Sequence, residues 1–277
     1  MQVDPIIPSP WNRSEQSLTA DERDTGFADQ AVDLRAHLES GLDALSLTLG
    51  GRQIDHLLAY LGQMLRWNKT YNLTAIRQPS EMVVMHLLDS LSVLPIVNRH
   101  MLNQRHLHLV DVGTGAGLPG IPLKLARPDL RLTLIETNGK KAAFLRHIQA
   151  NLGLADTEVC QARVESLSLD TLANGSIDVL TCRAFRAMKD LLDLVAPLIG
   201  PDTTVIAMKG PAAEQELAML KQSFEQQSTN QNIRKIQKSH GLTLEPLKVP
   251  GLDAERAAVV MAPYSKTGML ETITNQE

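Results

Sequence analysis

The chain has 277 residues, 43% of them hydrophobic and only 3% aromatic, with a formal net charge of −4. That suffices for one large α/β domain with added elements or for two small domains, with a core built mainly from Leu, Val, Ile and Ala. The N-terminus lacks a basic segment followed by an apolar run, and no window is expected to supply the roughly 18 apolar residues of a membrane helix, which argues against a secreted or membrane-spanning protein.

Charge is unevenly spread. Residues 1–45 hold nine acids and three bases, a net of −6 that leaves +2 for the remainder. A mildly basic body behind an acidic tail can still present a basic face. Residues 1–40, rich in Pro, Ser, Asp, Glu and Gln, offer little apolar surface to offset ordering entropy and are expected to form a flexible acidic extension. An amphipathic helix then begins near Arg52, with Ile54, Leu57, Leu58, Leu61 and Leu65 on one face. A second starts near Ser80 and runs through His86 and Leu91 until Pro95 ends it. These helices form an N-terminal helical cap over residues 41–100.

After His106 the pattern changes to strands alternating with helices through residues 101–277. Strands are predicted at Leu107–Val112, Leu130–Glu136, Thr157–Gln161, Ile177–Cys182 and Thr204–Lys209. Helices are predicted at Pro119–Ala126, Gly139–Leu152, Ala187–Leu198 and Pro211–Ser223. This alternation implies an α/β fold, a mostly parallel sheet covered by helices on both faces. Leu242–Val249 and Ala257–Ala262 have no helix-length spacer and suit an antiparallel hairpin at one edge, giving seven strands. Cys160 and Cys182 lie in apolar, strand-like contexts without metal-ligand spacing and are expected to be reduced core thiols, as in a cytoplasmic protein.

The central motif is Asp111-Val-Gly113-Thr-Gly115-Ala-Gly117-Leu118-Pro-Gly120, a Gly-rich turn between a strand and a helix. Glycine lets the main chain turn sharply and lets a ligand approach it. An acid stands two residues before the first glycine, and Gly117 comes one position too early for a dinucleotide fingerprint. Pro119 and Pro122 also remove two of the N–H donors that a pyrophosphate at a helix N-terminus would use. The amino-acid end of S-adenosylmethionine (SAM) carries no phosphate and tolerates that loss. Glu136 closes the second strand 23 residues after Gly113, where a carboxylate can accept both ribose hydroxyls of SAM or of NAD. The loop favours SAM, with a dinucleotide or a purely structural turn as alternatives.

Further motifs accompany this loop: Arg66-Trp67-Asn68-Lys69-Thr-Tyr71-Asn72-Leu73-Thr74, His86-Leu-Leu-Asp89-Ser90, Gly139-Lys140-Lys141, Arg163-Val164-Glu165, Thr181-Cys182-Arg183-Ala184-Phe185 and Lys209-Gly210. Together they resemble the RsmG (GidB) family of small-subunit rRNA guanine-N7 methyltransferases, from about Leu57 to Pro263. The resemblance implies a Rossmann-like SAM-dependent methyltransferase fold and places Gly113 and Leu118 at the methionine end of SAM, with Gly115 among the cofactor-binding residues. It further implies that Glu136 holds the ribose, Val164 and Glu165 border the adenine, and Arg183 stands at the cofactor's edge. Its implied substrate is a guanine in the 530 loop of 16S rRNA, in the 30S subunit or as free RNA. The protein would be cytoplasmic and monomeric, and would need no metal and no membrane.

Guanine N7 carries a lone pair and no proton, so in-line methyl transfer needs no general base, and alignment carries most of the catalysis. Arg163, Arg183 and Lys209 are the candidate catalytic cations that would orient the base near O6. Lys140, Lys141, Arg146 and Arg186 join them near the carboxyl ends of strands, where phosphates could be neutralised. Trp67, Tyr71 and Asn72 would clamp the cap to the sheet or contribute to the substrate face. His86 and Asp89 share a helix face and suit structural hydrogen bonding better than a metal. Two other functions stay open: a SAM methyltransferase acting on another RNA, a protein or a small molecule, and a non-catalytic ribosome-assembly factor that keeps SAM. An Asn/Asp-Pro-Pro-Tyr/Phe turn would mark amino-group chemistry, but Thr181–Phe185 occupies that position.

Overall fold

The structure is a computed structural model that describes residues 31–100, 107–173, 176–183, 187–225 and 230–265. Helices α1 (Ala31–Ala44), α2 (Gly51–Tyr71) and α3 (Pro79–Met82) open the fold. The helical course of α3 continues through a π-helical segment (Val83–Leu88) into a last α turn (Asp89–Leu91), and α4 (Leu94–Arg99) follows. The α/β part then runs β1 (His108–Val112), α5 (Gly120–Ala126), β2 (Arg131–Ile135), α6 (Gly139–Asn151), β3 (Thr157–Cys160), α7 (Leu169–Ala173), β4 (Val179–Arg183), α8 (Met188–Val195), β5 (Thr204–Lys209), α9 (Ala213–Glu225), α10 (Gln231–Ser239), β6 (His240–Leu247) and β7 (Arg256–Pro263).

The seven strands form one sheet in the order β3-β2-β1-β4-β5-β7-β6. The pairs β1–β2, β1–β4, β2–β3 and β4–β5 are parallel, while β7 is antiparallel to both β5 and β6. The expected seven-stranded sheet with an antiparallel edge hairpin is therefore present. Chain order reverses at β1, whose neighbours are β2 and β4, and a crevice outside the carboxyl ends of the strands opens at such a point.

Side-chain alternation along each strand divides the interior into two cores. Leu109, Leu132, Leu134, Val179, Ile206, Met208, Ala258 and Val260 face one core, which also takes the cap leucines and α5 and α6. Val110, Val112, Ile135, Leu180, Val205, Ala207, Val259 and Met261 face the other, beneath α8, α9 and α10. The cap is thus continuous with one core of the sheet. Its α2 buries Ile54, Leu57, Leu58 and Leu61 as expected, with Leu65 partly buried.

Several expectations need correction. Residues 31–40 do not belong to a flexible extension: α1 buries Leu34, Leu38 and Leu42, a stripe of every fourth residue that the acidic composition around it obscures. Arg35 of α1 pairs with Asp55 of α2 and, at 2.9 Å, with Glu39. Residues 1–30 lie outside the described residues. Pro95 does not close the second helix, which has already ended at Leu91; it sits in the first turn of α4, where its missing N–H costs nothing. The run Pro79–Arg99 is long and apolar enough to cross a membrane, contrary to expectation, yet 78% of its apolar window is buried inside the fold. Helix α10 escaped prediction because only Ile233 and Ile236 of its nine residues are buried apolar groups. Cys160 is half-buried and Cys182 buried, both as free thiols, and burial pushes the Cys182 thiol up to about 12.

Leu38 is completely buried within the shared core. Leu38→Ala should destabilise the protein by about 2–5 kcal/mol, through lost transfer energy and the cavity left behind. Urea denaturation measures this; a variant within about 0.5 kcal/mol of the parent would show that α1 is dispensable.

Candidate functional site

The Gly-rich loop leaves β1 at its carboxyl end and is shaped by Asp111, which is fully buried. Its Oδ2 accepts from Thr114 Oγ1 at 2.5 Å and from the Gly120 N–H at 2.9 Å, and its Oδ1 accepts from Thr181 Oγ1 on β4 at 3.3 Å. One carboxylate thus ties both ends of the loop to the neighbouring strand. Gly120 must be glycine because a Cβ there would lie 2.7 Å from Leu134 Cδ2 and 2.9 Å from Asp111 Oδ2. Burial pushes the Asp111 carboxyl up to about 6, although its three hydrogen bonds and nearby Arg183 pull the other way.

Glu136 directly follows β2 and meets the same loop. Its Oε2 accepts from the Gly115 N–H at 2.9 Å, and its Oε1 accepts from the Asn138 N–H at 2.7 Å. The Ile135 carbonyl accepts the N–H groups of Gly113 and Thr114 at 3.0 and 3.2 Å, which fixes the bend against β2. Gly115 has φ +61, and a Cβ built on it meets nothing nearer than 3.9 Å. Oε1 also accepts from Thr137 Oγ1 at 3.5 Å, so the bend is held open beside a carboxylate whose Oε2, with one donor, retains a lone pair. Leu118 is buried in the core beneath it, and Gly113 is exposed.

The remaining candidates line the same sheet edge. Arg163 is exposed and precedes a 3₁₀ turn, Val164–Ser166, in which Val164 is buried and Glu165 exposed. Arg183 ends β4, and its Nη1 donates to Asp89 Oδ2 at 2.9 Å and to the Met85 carbonyl at 2.7 Å. Lys209 ends β5, is buried, and pairs with Glu216 Oε2 at 2.8 Å. That same Oε2 accepts the Met188 N–H at 3.1 Å. Lys140 stands 5.9 Å over the Tyr71 ring, and Arg146 donates to Gln161 at 3.3 and 3.4 Å. Ala184, Phe185 and Arg186 lie outside the described residues.

The cap touches the loop directly. Tyr60, fully buried on α2, donates its hydroxyl to the Ala116 carbonyl at 2.6 Å. No local pattern foretells this contact, since Tyr60 falls on the apolar face of an amphipathic helix. Trp67 packs 5.5 Å from the Phe144 ring and 5.2 Å from His147, both on α6, so it clamps the cap to the sheet domain. Tyr71 is 40% exposed. His86 Nε2 bonds Thr74 Oγ1 at 3.0 Å, and burial together with Arg183 holds the imidazole neutral, at about 4. Among the described residues no group of three or more His, Cys, Asp or Glu is placed to hold a metal.

The folded protein holds the Asp111 proton more tightly than the unfolded chain, whose Asp titrates near 4. Its contribution to stability is therefore complete below about pH 4 and is lost as the pH rises through about 6. The Asp111 carboxyl ¹³C shift should titrate with a midpoint near 6. A midpoint near 4 would show that the hydrogen bonds outweigh burial.

Comparison with known proteins places this geometry in context. The family model for rRNA small subunit methyltransferase G matches residues 53–242. The ribosomal RNA small subunit methyltransferase G of Leptothrix cholodnii is 42% identical over 231 residues, covering 83% of this chain and 96% of the relative. The protein of the same name from Xanthomonas oryzae pv. oryzae is 40% identical over 231 residues, again 83% of this chain and 96% of the relative. A solved METTL16 MTase domain shares the fold at a TM-score of 0.53 and 16% identity, covering 90% of this chain and 98% of that one. With its motif loop and all five parallel strands inside the matched region, the chain belongs to the rRNA small subunit methyltransferase G family.

Proposed function

We propose that this protein transfers a methyl group from SAM to N7 of a guanine in the 530 loop of 16S rRNA, acting as a cytoplasmic monomer. The observation that carries the reading is the Glu136 carboxylate bonded at 2.9 Å to the Gly115 N–H, at the point where strand order reverses. SAM supplies an activated methyl group on a sulfonium. The site fits it: the bend is open at Gly115 and faces an acid whose Oε2 keeps a free lone pair.

In this reading Gly113, Gly115 and Leu118 receive the methionine end, Glu136 the ribose hydroxyls, and Val164 and Glu165 the adenine. Arg183 stands between cofactor and substrate, and Arg163 and Lys209 flank the substrate side. The reacting nitrogen carries no proton, so none of these residues needs to remove one. Their work is to hold the base in line and to exclude water, and alignment of this kind supplies on the order of 7–11 kcal/mol. The deep, narrow major groove of an RNA helix keeps N7 from side chains, so the target guanine must lie in a loop or leave its stack.

Labelled SAM offered to rRNA and to 30S particles from cells lacking this protein tests the substrate. Label should enter one guanine, located by chemical cleavage at N7-methylguanine. Glu136→Gln should weaken SAM binding about 10–100-fold in calorimetric titration, as expected when a charged acceptor is lost. Unchanged affinity would remove Glu136 from the cofactor site.

A further inference from the structure

We infer that Asp89, on the cap, is a positioning residue that sets the orientation of Arg183 at the methyl-transfer site; this rests on the function proposed above. Asp89 is 3% exposed, and both of its oxygens are used. Oδ2 accepts from Arg183 Nη1 at 2.9 Å, and Oδ1 accepts from Arg256 Nε at 3.1 Å. Arg183 ends β4 and Arg256 begins β7, so a single cap carboxylate grips two strands of the sheet.

The π-helical segment completes the grip. In an α-helix the Asp89 N–H would bond the Met85 carbonyl. Here it bonds the carbonyls of Val84 and His86, and the Met85 carbonyl accepts from Arg183 Nη1 at 2.7 Å. Two acceptors, one charged and one neutral, therefore converge on a single nitrogen of Arg183. They fix the plane of the guanidinium and leave the rest of its donor fork to face elsewhere. Insertions of this kind in helices recur at functional sites. Arg183 also lies close enough to lower the Asp111 carboxyl and the Tyr60 hydroxyl, which places its charge beside the Gly-rich loop and the cap residue that touches it.

Two guanidiniums on one carboxylate leave the cluster with an excess positive charge. Without Asp89, Arg183 and Arg256 would repel, and Arg183 would keep only the Met85 carbonyl. A misplacement of about 1 Å at a reacting centre can cost about 100-fold in rate. Asp89 touches neither cofactor nor substrate in this account; it acts through Arg183.

The test is a double-mutant cycle on the full chain, read in kcat, in KM for RNA and in SAM affinity. Asp89→Asn should lower kcat about 100-fold while SAM affinity changes less than about 3-fold. In the Arg183→Ala background the same substitution should have no further effect, because residues acting as one unit are non-additive. Arg256→Gln, which leaves the Asp89–Arg183 pair intact, should keep kcat within about twofold of the parent. If Asp89→Asn fails to fold, Asp89→Glu, which keeps the charge but moves the oxygens, enters the same cycle with the same expectation. Additive losses, or an Arg256→Gln loss as large as that of Asp89→Asn, would overturn the inference. A parent protein that transfers no methyl group to rRNA would instead overturn the proposed function.

Discussion

Thr114, Gly120 and Thr181 all donate hydrogen bonds to the carboxylate of Asp111, at the fully buried end of β1. A carboxylate stripped of water is costly unless hydrogen bonds replace the lost hydration. Here the replacements come from the loop itself and from the adjacent strand. The loop cannot relax without leaving the carboxylate unsatisfied, so its shape is set before any ligand arrives. That shape in turn aims the Gly115 N–H at Glu136, and it brings Gly120 so close to β2 that no side chain fits. The shape of the bend and the close packing of Gly120 on β2 therefore both depend on one buried acid.

The two acids of the motif have opposite tasks. Asp111 faces inward from β1, where its partners are protein groups. Glu136 follows β2 at the carboxyl edge, and its contacts, two main-chain N–H groups and the Thr137 hydroxyl, leave a lone pair available on Oε2. The difference follows from position along neighbouring strands. Val112 pairs with Ile135, so the residue after each strand is the first to leave the sheet, whereas Asp111 still lies within it. An acid inside the sheet can only organise; an acid one step beyond it can bind.

Much of this was legible in the sequence, because each strand carries a short apolar run and each covering helix a periodic face. Thr204–Lys209 matched residue for residue, and the other strand bounds moved by only a few residues. Legibility failed where apolar residues were sparse or their neighbours misleading. Leu34, Leu38 and Leu42 are a clear stripe, yet they lie at the end of an acidic segment whose composition suggested a chain without a core. Ile233 and Ile236 alone gave no period to detect. For the loop, residue types and spacing put Gly113, Gly115 and Glu136 together at one bend, with Leu118 in the core beneath it. The contacts of Tyr60 with the loop and of Asp89 with Arg183 span 56 and 94 residues, and no local pattern encodes such distances.

The ion pairs also divide the cations that sequence alone treats as one group. Arg183 and Lys209 are held by Asp89 and Glu216 in partly buried surroundings, with side chains 19% and 5% exposed. Releasing Arg183 to an RNA phosphate would leave the buried Asp89 with Arg256 alone, and releasing Lys209 would take the cation from the half-buried Glu216, each costlier than breaking an exposed contact. Arg163, Lys140 and Arg146 are exposed, and an exposed cation gives up a surface contact at a cost of about 1 kcal/mol or less. In the proposed reading, phosphate neutralisation falls to the exposed set, which can change partners at little cost. The buried set keeps its partners and can only hold a donor in a fixed direction, and a reaction that requires alignment and no proton transfer needs that of it.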